Sequence, residues 1–424
     1  QCFRRQRQMC IRDRPDPELN MKNIIVQKFG GTSVGSVERI LAVANIIKAA
    51  YKNEFPVVVV SAMGKETDRL VMLAKGISKN PEKRELDALL STGEKVSASL
   101  LAMQLNEMGI KAKSFSAAQI SMKTTSQYSK AKILDINYQI ILDSIQSGFV
   151  PVITGFQGVT DSGDVTTLGR GGSDTTAVAV SAAIEASRCD IYTDVDGIYT
   201  TDPNLVNNAK KLESITMEEM LELSGQGANV LQIRAVEFAN KYNVPLRVLS
   251  SFKSGSGTHI LKEESSMEDA VITGIAYQKD QTKITLHGVV DTPGIASGIL
   301  SPISDEDIEV DVIVQNVSVS GKTDFTFTVA TEDSSAAEAA LNNNMQGITY
   351  DEIIVDENIV KVSLVGVGMR SHAGIASKAF NALADAGINI QMISTSEIKI
   401  TLVISQDKLE DAVKVLHDAF ELEK

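Results

Sequence analysis

The sequence predicts an α/β protein with a largely parallel sheet and helices on both faces, followed by two smaller α+β units. From Met21 to about Leu261, short apolar runs alternate with segments of helical periodicity, which is typical of strands and helices around a parallel sheet. Beyond the Gly/Ser-rich turn "SSFKSGSGTHI", the runs become shorter and follow a βαββαβ order that then repeats.

The elements of the first part follow one another regularly. Its predicted strands are "NIIVQKFG", "PVVVVSAMG", "AKSFSA", "VPVITGFQG", "CDIYTDVDG" and "VPLRVLS", and its helices include "VERILAVANIIKAA", "AKILDINYQIILDSIQ" and "DTTAVAVSAAIEAS". Several strands end in loops rich in Gly, Ser or Thr. Because parallel strands end at one edge of a sheet, we expect these loops to converge there.

The second part contains two similar units. The first runs from "KITLHGVV" to "ITYDEIIV" as βαββαβ, and the second from "KVSLVGVG" to "KLEDAVKVLHDAF" as βαββα. Each has a polar turn after its first strand, "DTPGIAS" at 291–297 and "SHAGIAS" at 371–377. The second unit lacks its last strand, and the spare strand "AVITGIAY" at 270–277 is predicted to complete it.

Composition excludes several functional classes. The 424 residues suggest two to four domains, and the charge of −13 without a basic block argues against nucleic-acid binding. Cys2, Cys10 and Cys189 are too scattered for a disulfide framework or a zinc site. No apolar run approaches the ~18 residues of a membrane helix. We expect a soluble cytoplasmic protein, whose first twenty residues, with five Arg and no signal-peptide core, are a disordered or spurious extension.

The octet Lys28–Gly35, "KFGGTSVG", follows the first strand and precedes a helix. Gly30 and Gly31 allow backbone N–H groups to approach an anion closely, and Lys28 supplies a charge. Hydroxyl groups of Thr32 and Ser33 can cap the next helix. Neither GxxxxGK(S/T) nor GxGxxG is present, so the loop is a phosphate cradle of another kind or a tight strand-to-helix turn.

A second glycine-rich helix start lies at Thr166–Val180, "TTLGRGGSDTTAVAV". Its glycines are Gly169, Gly171 and Gly172. Arg170 lies among them, and Ser173 and Asp174 are predicted caps of the next helix; the alternative is a solvated Arg and a plain N-cap. Two such starts can face each other, one holding a phosphate donor and the other an acceptor, because phosphoryl transfer depends mainly on charge neutralisation. Arg binds a carboxylate through paired hydrogen bonds.

Three further segments carry candidate polar residues. Glu94, in "LLSTGEKVSASLLA", lies at a predicted helix start. Its carboxylate there either interacts favourably with the helix dipole or binds a substrate ammonium group. Thr67, in "SAMGKETDRL", caps a helix or contacts substrate. The stretch "YTDVDGIYTTDPN" at 192–204 is a solvated acidic turn or a nucleotide-binding edge.

Seven motifs, taken in order, closely resemble those of the aspartate kinases. They are "KFGGTSV", "STGE", "GFQGVT", "TTLGRGGSDTTA", "YTDVDGIYTTDP", "VQNVS" and "ISTSEIKI". The resemblance is to the short type, with one kinase domain and two ACT domains, and covers Met21 to the C-terminus. It implies an amino-acid-kinase fold over residues 21–264 and a linker with the completing strand at 265–280. It also implies two ferredoxin-like ACT domains at 281–356 and 357–424.

The resemblance implies roles for the candidate residues. Lys28 would stabilise charge on the γ-phosphoryl group of ATP, Asp174 would orient Lys28 and the reacting carboxylate, and Arg170 and Glu94 would bind the α-carboxylate and ammonium of L-aspartate. The implied aspartate site also includes Ser33, Thr67, Gly171, Gly172 and Ser173. The implied ATP site includes Lys28, Phe29, Gly30, Gly31, Thr193, Asp194, Tyr199, Asn204 and Asn229, with Mg²⁺ bridging the phosphates.

Two positions depart from the pattern. Many relatives carry Arg where this chain has Asn204 and Lys where it has Asn229, and both positions are associated with nucleotide phosphates. Asn donates hydrogen bonds but brings no charge, so we expect a changed ATP affinity and a retained activity.

The resemblance also implies regulation. Seven residues match an effector site for lysine, threonine or both: Asp291, Gly294, Ala296, Gln315, Asn389, Ile390 and Ser396. The alternative is that these residues only form ordinary turns. The resemblance implies a homodimer or higher oligomer that pairs through the ACT domains. It also implies that the enzyme catalyses the first step of lysine, threonine and methionine (diaminopimelate) biosynthesis. Two rival functions stay open: a kinase for glutamate, acetylglutamate or carbamate, and a catalytically weak amino-acid-binding regulator.

Overall fold

The computed structural model describes residues 23–228, 230–262, 272–316, 321–344, 347–371 and 374–424. The chain divides into two compact units. The first contains the chain up to Gly197 together with Leu231–Lys262, and the second contains Ile198–Val230 and the chain from Glu263 to Lys424. The segment Ile198–Val230, which the resemblance assigns to the kinase domain, thus groups with the second unit. The predicted extension at 1–20 lies outside the described residues.

The first unit alternates strands and helices. Its strands are β1 (Ile24–Phe29), β2 (Phe55–Val60), β3 (Ala112–Phe115), β4 (Lys123–Thr124), β5 (Ile133–Asp135), β6 (Val150–Thr154), β7 (Gln157–Val159), β8 (Val165–Thr167), β9 (Arg188–Thr193), β11 (Leu246–Ser250) and β12 (Thr258–Leu261). Its helices are α1 (Val37–Tyr51), α2 (Glu66–Ile77), α3 (Lys83–Leu90), α4 (Thr92–Glu107), α5 (Tyr138–Gln146), α6 (Gly172–Ala183) and α8 (Ile233–Tyr242).

The main sheet of this unit contains its strands in the order β12-β11-β9-β1-β2-β6-β3. The neighbours from β11 to β3 are parallel, and only the β11–β12 pair within this series is antiparallel. The side chains of Val57–Val60 are completely buried, as expected for strands covered on both faces. Helices α1 and α4 pack on the sheet through Ile40 and Leu101. The parallel order places the ends of β1, β2, β6 and β9 at one edge.

A second, small sheet in the same unit has the order β5-β4-β7-β8. The hydroxyl groups of Thr124 and Thr166 lie 2.6 Å apart between its strands β4 and β8. Strand β8 ends at Thr167, immediately before the glycine-rich loop that carries Arg170.

The second unit adds the remaining elements. They are β10 (Ser214–Thr216), α7 (Met217–Gly225), β13 (Gly274–Val290), α9 (Ile295–Asp305), β14 (Ile313–Gln315), β15 (Lys322–Ala330), α10 (Ser334–Asn344), β16 (Glu352–Val365), α11 (Ile375–Asp385), β17 (Ile390–Thr395), β18 (Lys399–Ser405) and α12 (Leu409–Ala419). Short 3-10 helices lie at Thr331–Asp333, Val367–Ser371 and Gln406–Lys408. Antiparallel pairing gives a six-stranded sheet in the order β14-β15-β13-β16-β18-β17.

Strand β13 is longer than the sequence predicts. Its first residues, Gly274–Gln278, pair with β16 at Lys361–Val365, and its later residues pair with both β15 and the start of β16. The register shifts after Gln278, and Asp280 there adopts φ 56. The predicted spare strand and the next predicted strand are therefore one bulged strand, because a bulge bends a strand without ending it.

The repeated turns have the same geometry. Gly294 precedes α9 with φ 94, and Gly374 precedes α11 with φ 93. This left-handed conformation favours glycine, which explains why both Gly-Ile-Ala-Ser turns begin with that residue. Helix α11 packs on one apolar cluster that includes Leu402 and Val413, and α9 packs on a separate one that includes Phe325 and Phe327.

The segment Ile198–Val230 is bonded into the second unit. Gln226 Oε1 accepts a hydrogen bond from Ser363 Oγ at 2.8 Å, and Thr200 Oγ1 lies 3.1 Å from His417 Nε2. Val206 belongs to the same apolar cluster as α11 and α12. Among the helices of the described residues, none is long and apolar enough to cross a membrane.

Candidate active site

The site begins with an ion pair at the carboxyl edge of the main sheet. Lys28 lies near the end of β1, and Asp174 lies in the first turn of α6. Lys28 Nζ and Asp174 Oδ1 are 2.5 Å apart, and each residue is less than a tenth exposed. Water therefore screens the two opposite charges poorly, which strengthens the attraction between them.

The loop after β1 contacts the end of β9 and the loop after β2. The Gly30 amide donates a hydrogen bond to the Tyr192 carbonyl at 3.2 Å, and the Gly64 amide donates to the Gly31 carbonyl at 2.9 Å. A Cβ on Gly31 would lie 3.1 Å from the carbonyl oxygens of Ala62 and Gly64. This close backbone approach therefore favours glycine at position 31.

The structure corrects the predicted helix caps. Ser36, rather than Thr32 or Ser33, caps α1 by accepting a hydrogen bond from the Arg39 amide. The helix begins at Val37, the first residue of the predicted segment "VERILAVANIIKAA", because the Gly-Thr-Ser residues form a turn first. The Ser33 side chain is fully buried and accepts a hydrogen bond from Ser251 Oγ at 2.8 Å.

The caps of α2 and α6 are also different from those predicted. Gly171, with φ 66, precedes α6, so Ser173 and Asp174 lie within the first turn instead of capping it. Helix α2 begins at Glu66 after Lys65, which places Thr67 in the first turn rather than at the cap. A left-handed glycine can start a helix by itself, and the carboxylate of Asp174 therefore remains available to Lys28.

Glu94 carries a strongly perturbed carboxyl group. It lies in the first turn of α4, is 2% exposed, and accepts a hydrogen bond from the Ala62 amide through Oε1 at 3.2 Å. Burial raises the pKa of Glu94 to about 7. Within the described part of the chain, Glu94 Oε2 is buried without a hydrogen-bond partner. An unpaired buried oxygen of this kind fits a cationic group.

The glycine-rich loop before α6 presents Arg170 at the surface. Arg170 is exposed between Gly169, with φ 80, and Gly171. A Cβ on Gly171 would lie 1.8 Å from the Gln232 side chain, so the loop needs glycine there for space as well as for conformation. Ser173 packs against Gly155 in the turn after β6.

Comparisons with known proteins identify the family. The model of the amino acid kinase family matches residues 23–250, and an ACT domain model matches residues 362–420. An aspartate kinase of Pseudomonas fluorescens (strain SBW25) is 57% identical over 404 residues, which cover 94% of this chain and 98% of that protein. The chain belongs to the aspartate kinases. Aspartokinase 2 of Bacillus subtilis (strain 168) is 48% identical, covering 95% of this chain and 98% of its own.

Solved structures agree with the fold. E. coli aspartokinase III in complex with aspartate and ADP has a TM-score of 0.79 at 26% identity, covering 93% of this chain and 99% of that one. The aspartate kinase of Clostridium acetobutylicum has a TM-score of 0.76 at 26% identity, covering 93% of this chain and 100% of its own. The predicted family, fold class and enzyme class are therefore confirmed.

In this aspartate kinase, the implied ATP residues lie on several different elements. Thr193 Oγ1 donates a hydrogen bond to the exposed Asp194, in the loop after β9. Phe29 is completely buried and stacks on Tyr192 at 4.7 Å between ring centroids, so its side chain belongs to the core. Tyr199 and Asn204 belong to the second unit, where Asn204 donates two hydrogen bonds to Asp202 Oδ1. Asn229 lies outside the described residues.

The implied effector residues of the kinase lie at turns and strand ends of the ACT half. Asp291 is exposed, and its amide donates a hydrogen bond to the Gly321 carbonyl. The others are Gly294 before α9, Ala296 in its first turn, Gln315 at the end of β14, Asn389 before β17, Ile390 at its start and Ser396 after it.

Sequence reasoning missed the residues that support the site from behind. Ser251 donates to Ser33 and accepts from Arg39. Asp87 and Arg234 hold the backbone just before Arg170, at Thr167 and Leu168. In the sequence, Asp87 is visible only as a carboxylate on the helix "KRELDALL". The structure shows that this carboxylate is completely buried.

Proposed function

We propose that this aspartate kinase transfers the γ-phosphoryl group of ATP to the side-chain carboxylate of L-aspartate, giving 4-phospho-L-aspartate and ADP. The observation that carries the proposal is the buried Lys28–Asp174 pair beside the Gly30–Gly31 loop. A cation next to close-approaching backbone is suited to phosphate groups. E. coli aspartokinase III has been solved in complex with aspartate and ADP, which supports the same acceptor and nucleotide here.

Lys28 is assigned the neutralisation of charge on the transferred group. Phosphoryl transfer depends on positioning and on charges aimed at the transition state, since the protein forms no bond to the phosphorus. Asp174 holds the Lys28 ammonium group at 2.5 Å and so fixes the direction of that charge. Mg²⁺ would neutralise phosphate charge when bound, held chiefly by the phosphate oxygens.

Arg170 and Glu94 are assigned the acceptor. The exposed guanidinium of Arg170 can bind the α-carboxylate of L-aspartate through paired hydrogen bonds. The unpaired Oε2 of Glu94 can accept a hydrogen bond from the substrate ammonium group. An ammonium group also favours the ionised form of Glu94 and offsets the effect of burial on its pKa. The backbone at Gly171 and Gly172, with Ser33, Thr67 and Ser173, completes the proposed acceptor site.

Feedback control is the second part of the proposal. Lysine, threonine or both would bind at the ACT half through Asp291, Gly294, Ala296 and Gln315, with Asn389, Ile390 and Ser396 contributed by a facing ACT domain of a homodimer. The support is the repeated glycine turn before α9 and α11 and an E. coli aspartokinase III structure in complex with lysine and aspartate, with a TM-score of 0.74 at 26% identity. The product would then enter lysine, threonine and methionine biosynthesis.

An acceptor panel tests the proposal. ADP release is measured with ATP, Mg²⁺ and L-aspartate, L-glutamate, N-acetyl-L-glutamate or carbamate in turn. We expect release with L-aspartate and little with the others. Release with another acceptor alone would instead show a different amino-acid kinase, and lysine binding without ADP release from any acceptor would show a regulator.

A further inference from the structure

Asp87, on α3, is a buried carboxylate with a complete set of hydrogen bonds. The residue has no exposed surface. Its Oδ2 accepts from the backbone amides of Ser129 at 2.8 Å and Thr167 at 2.7 Å. Its Oδ1 accepts from the hydroxyl groups of the same two residues, at 3.1 Å and 2.8 Å. Each residue thus gives Asp87 one amide and one hydroxyl bond, and a neutral side chain of the same shape cannot accept all four.

The two residues held by Asp87 flank the loop that carries Arg170. Thr167 ends β8, three positions before Arg170. Ser129 adopts φ 67, which is uncommon for a residue other than glycine, and its carbonyl lies 3.1 Å from the position of a Cβ on Gly169. The hydrogen bonds from Ser129 to Asp87 therefore maintain the unusual conformation against which the Gly169 turn packs.

Arg234, on α8, ties together the same two loops from a second direction. One of its terminal nitrogens donates to the Leu168 carbonyl and the other donates to the Ala131 carbonyl, both at 2.7 Å. The Ala131 amide in turn donates to the Thr167 carbonyl at 3.0 Å. The backbone just before Arg170 is therefore fixed by a carboxylate and a guanidinium that themselves lie on helices.

The arrangement is more specific than stability requires. A buried carboxylate loses its hydration, and an apolar side chain of similar volume often stabilises a protein as well or better. What the four bonds to Asp87 provide is a single position for Thr167 and Ser129, and hence for the Gly169 turn. Functional side chains on loops need such support, because small displacements of a binding group reduce activity strongly.

We infer that Asp87, together with Arg234, is a positioning residue for Arg170 and thereby sets the recognition of the acceptor's α-carboxylate. The inference rests on the proposed role of Arg170. All four hydrogen bonds to Asp87 come from Ser129 and Thr167, beside the Arg170 loop. The inference therefore assigns Asp87 to the acceptor side of the proposed site and not to the nucleotide side.

The test compares Asp87→Asn with a matched control, Asp190→Asn. Asp190 is also completely buried, but it is held on β9 by Arg188 and Arg247. For Asp87→Asn we expect the KM for L-aspartate to rise about tenfold or more while the KM for ATP stays within about twofold. For Asp190→Asn we expect no such difference between the two substrates. Equal effects of the two variants on both KM values would overturn the inference.

A substrate analogue gives a readout that lost stability would not move. The α-amide of L-aspartate keeps the side-chain carboxylate but lacks the α-carboxylate. The wild type should prefer L-aspartate over this amide in kcat/KM, and Asp87→Asn should reduce that preference about tenfold. An unchanged preference would show that Asp87 is only structural.

Milder variants keep the inference testable if Asp87→Asn does not fold. Thr167→Val removes one hydroxyl bond to Asp87 and keeps the β-branched shape, and Arg234→Lys removes the paired bonds to Leu168 and Ala131. Both should reduce the same preference, by about two- to tenfold, and no reduction in either overturns the inference. If the wild type itself releases no ADP with L-aspartate, the proposed function fails at that earlier step.

Discussion

Lys28 Nζ lies 2.5 Å from Asp174 Oδ1, although the two residues are 146 positions apart in the sequence and belong to different elements, β1 and α6. Both begin or end at the carboxyl edge of the parallel sheet, where the main-chain amides of the Gly30–Gly31 loop also lie. The parallel sheet brings the two ends together, and the buried pair fixes one cation there, where the proposed phosphoryl transfer would require neutralisation of phosphate charge.

Replacement of Lys28 should act on the chemical step. Lys28→Ala should lower kcat by about 10²-fold or more, equivalent to about 3 kcal/mol, because the charge of Lys28 matters most as charge shifts in the transition state. Steady-state kinetics with both substrates measure this, with Lys48→Ala, an exposed lysine on α1, as the control. A rise in KM with unchanged kcat would make Lys28 a residue of ground-state binding instead.

Replacement of Arg170 by Lys keeps the charge but removes the planar pair of donors. Arg170→Lys should raise the KM for L-aspartate by about tenfold or more and leave the KM for ATP nearly unchanged. The two KM values are measured on one preparation, with Arg69→Lys on α2, an exposed arginine paired with Glu66, as the control. An effect on the KM for ATP alone would show that the acceptor is placed wrongly.

Glu94 should make aspartate binding depend on pH. The raised pKa of about 7 means that Glu94 loses its charge as the pH falls through 7, and only the ionised form attracts an ammonium group. In the wild type, the KM for L-aspartate should therefore rise by up to about tenfold per pH unit below 7, with little change above about 8. In Glu94→Gln it should be high throughout and nearly independent of pH. Equal pH profiles of the wild type and the variant would contradict this assignment.

The close approach at Gly31 should make even one added methyl group costly. In Gly31→Ala the Cβ would lie 3.1 Å from two backbone carbonyl oxygens, so the loop must shift. We expect kcat/KM for ATP to fall about tenfold, since a small displacement of a phosphate-binding loop reduces activity strongly. Gly76→Ala on α2 is the control, because a Cβ there would meet none of the described heavy atoms within 4 Å. Equal activity of the two variants would remove Gly31 from the proposed ATP site.

Replacement of Asp291 should weaken inhibition and leave catalysis nearly unchanged. An effector inhibits only if it binds one conformation more tightly, and a tenfold preference corresponds to about 1.4 kcal/mol of coupling. Asp291→Ala should weaken inhibition by lysine, threonine or their mixture about tenfold with uninhibited kcat nearly unchanged. Asp305→Ala, at the far end of α9, is the control. If neither amino acid nor the mixture inhibits the wild type at millimolar levels, the regulatory proposal fails and the kinase proposal stands.

The sequence predicts the long parallel strands of the main sheet because their signal is local. Continuous apolar runs such as Val57–Val60 are sufficient to indicate a strand buried on both faces. Strand β13 was predicted as two strands because the charged residues Lys279 and Asp280 interrupt its pattern, whereas the chain absorbs them in a bulge. The grouping of Ile198–Val230 with the second unit depends on distant contacts, such as that of Gln226 with Ser363, which no local pattern contains.

The candidate site was predictable in its residues and less so in its geometry. Glycine-rich turns and an isolated Lys, Arg and Glu are visible in the sequence, but the choice among several hydroxyl groups as helix cap depends on backbone conformation. Asp87 was missed because its four donors come from positions 42 and 80 residues away. Only the folded chain shows that this carboxylate supports the loop before Arg170.

The most direct test of the central claim is identification of the product. Wild-type protein is incubated with ATP, Mg²⁺, L-aspartate and hydroxylamine, which traps an acyl phosphate as a hydroxamate, and the hydroxamate is compared with the ADP released. We expect aspartate hydroxamate in equal amount to ADP, and a decrease of both by about 10²-fold in Lys28→Ala. ADP release without hydroxamate, or equal hydroxamate formation by Lys28→Ala, would contradict phosphoryl transfer to the aspartate side chain at this site.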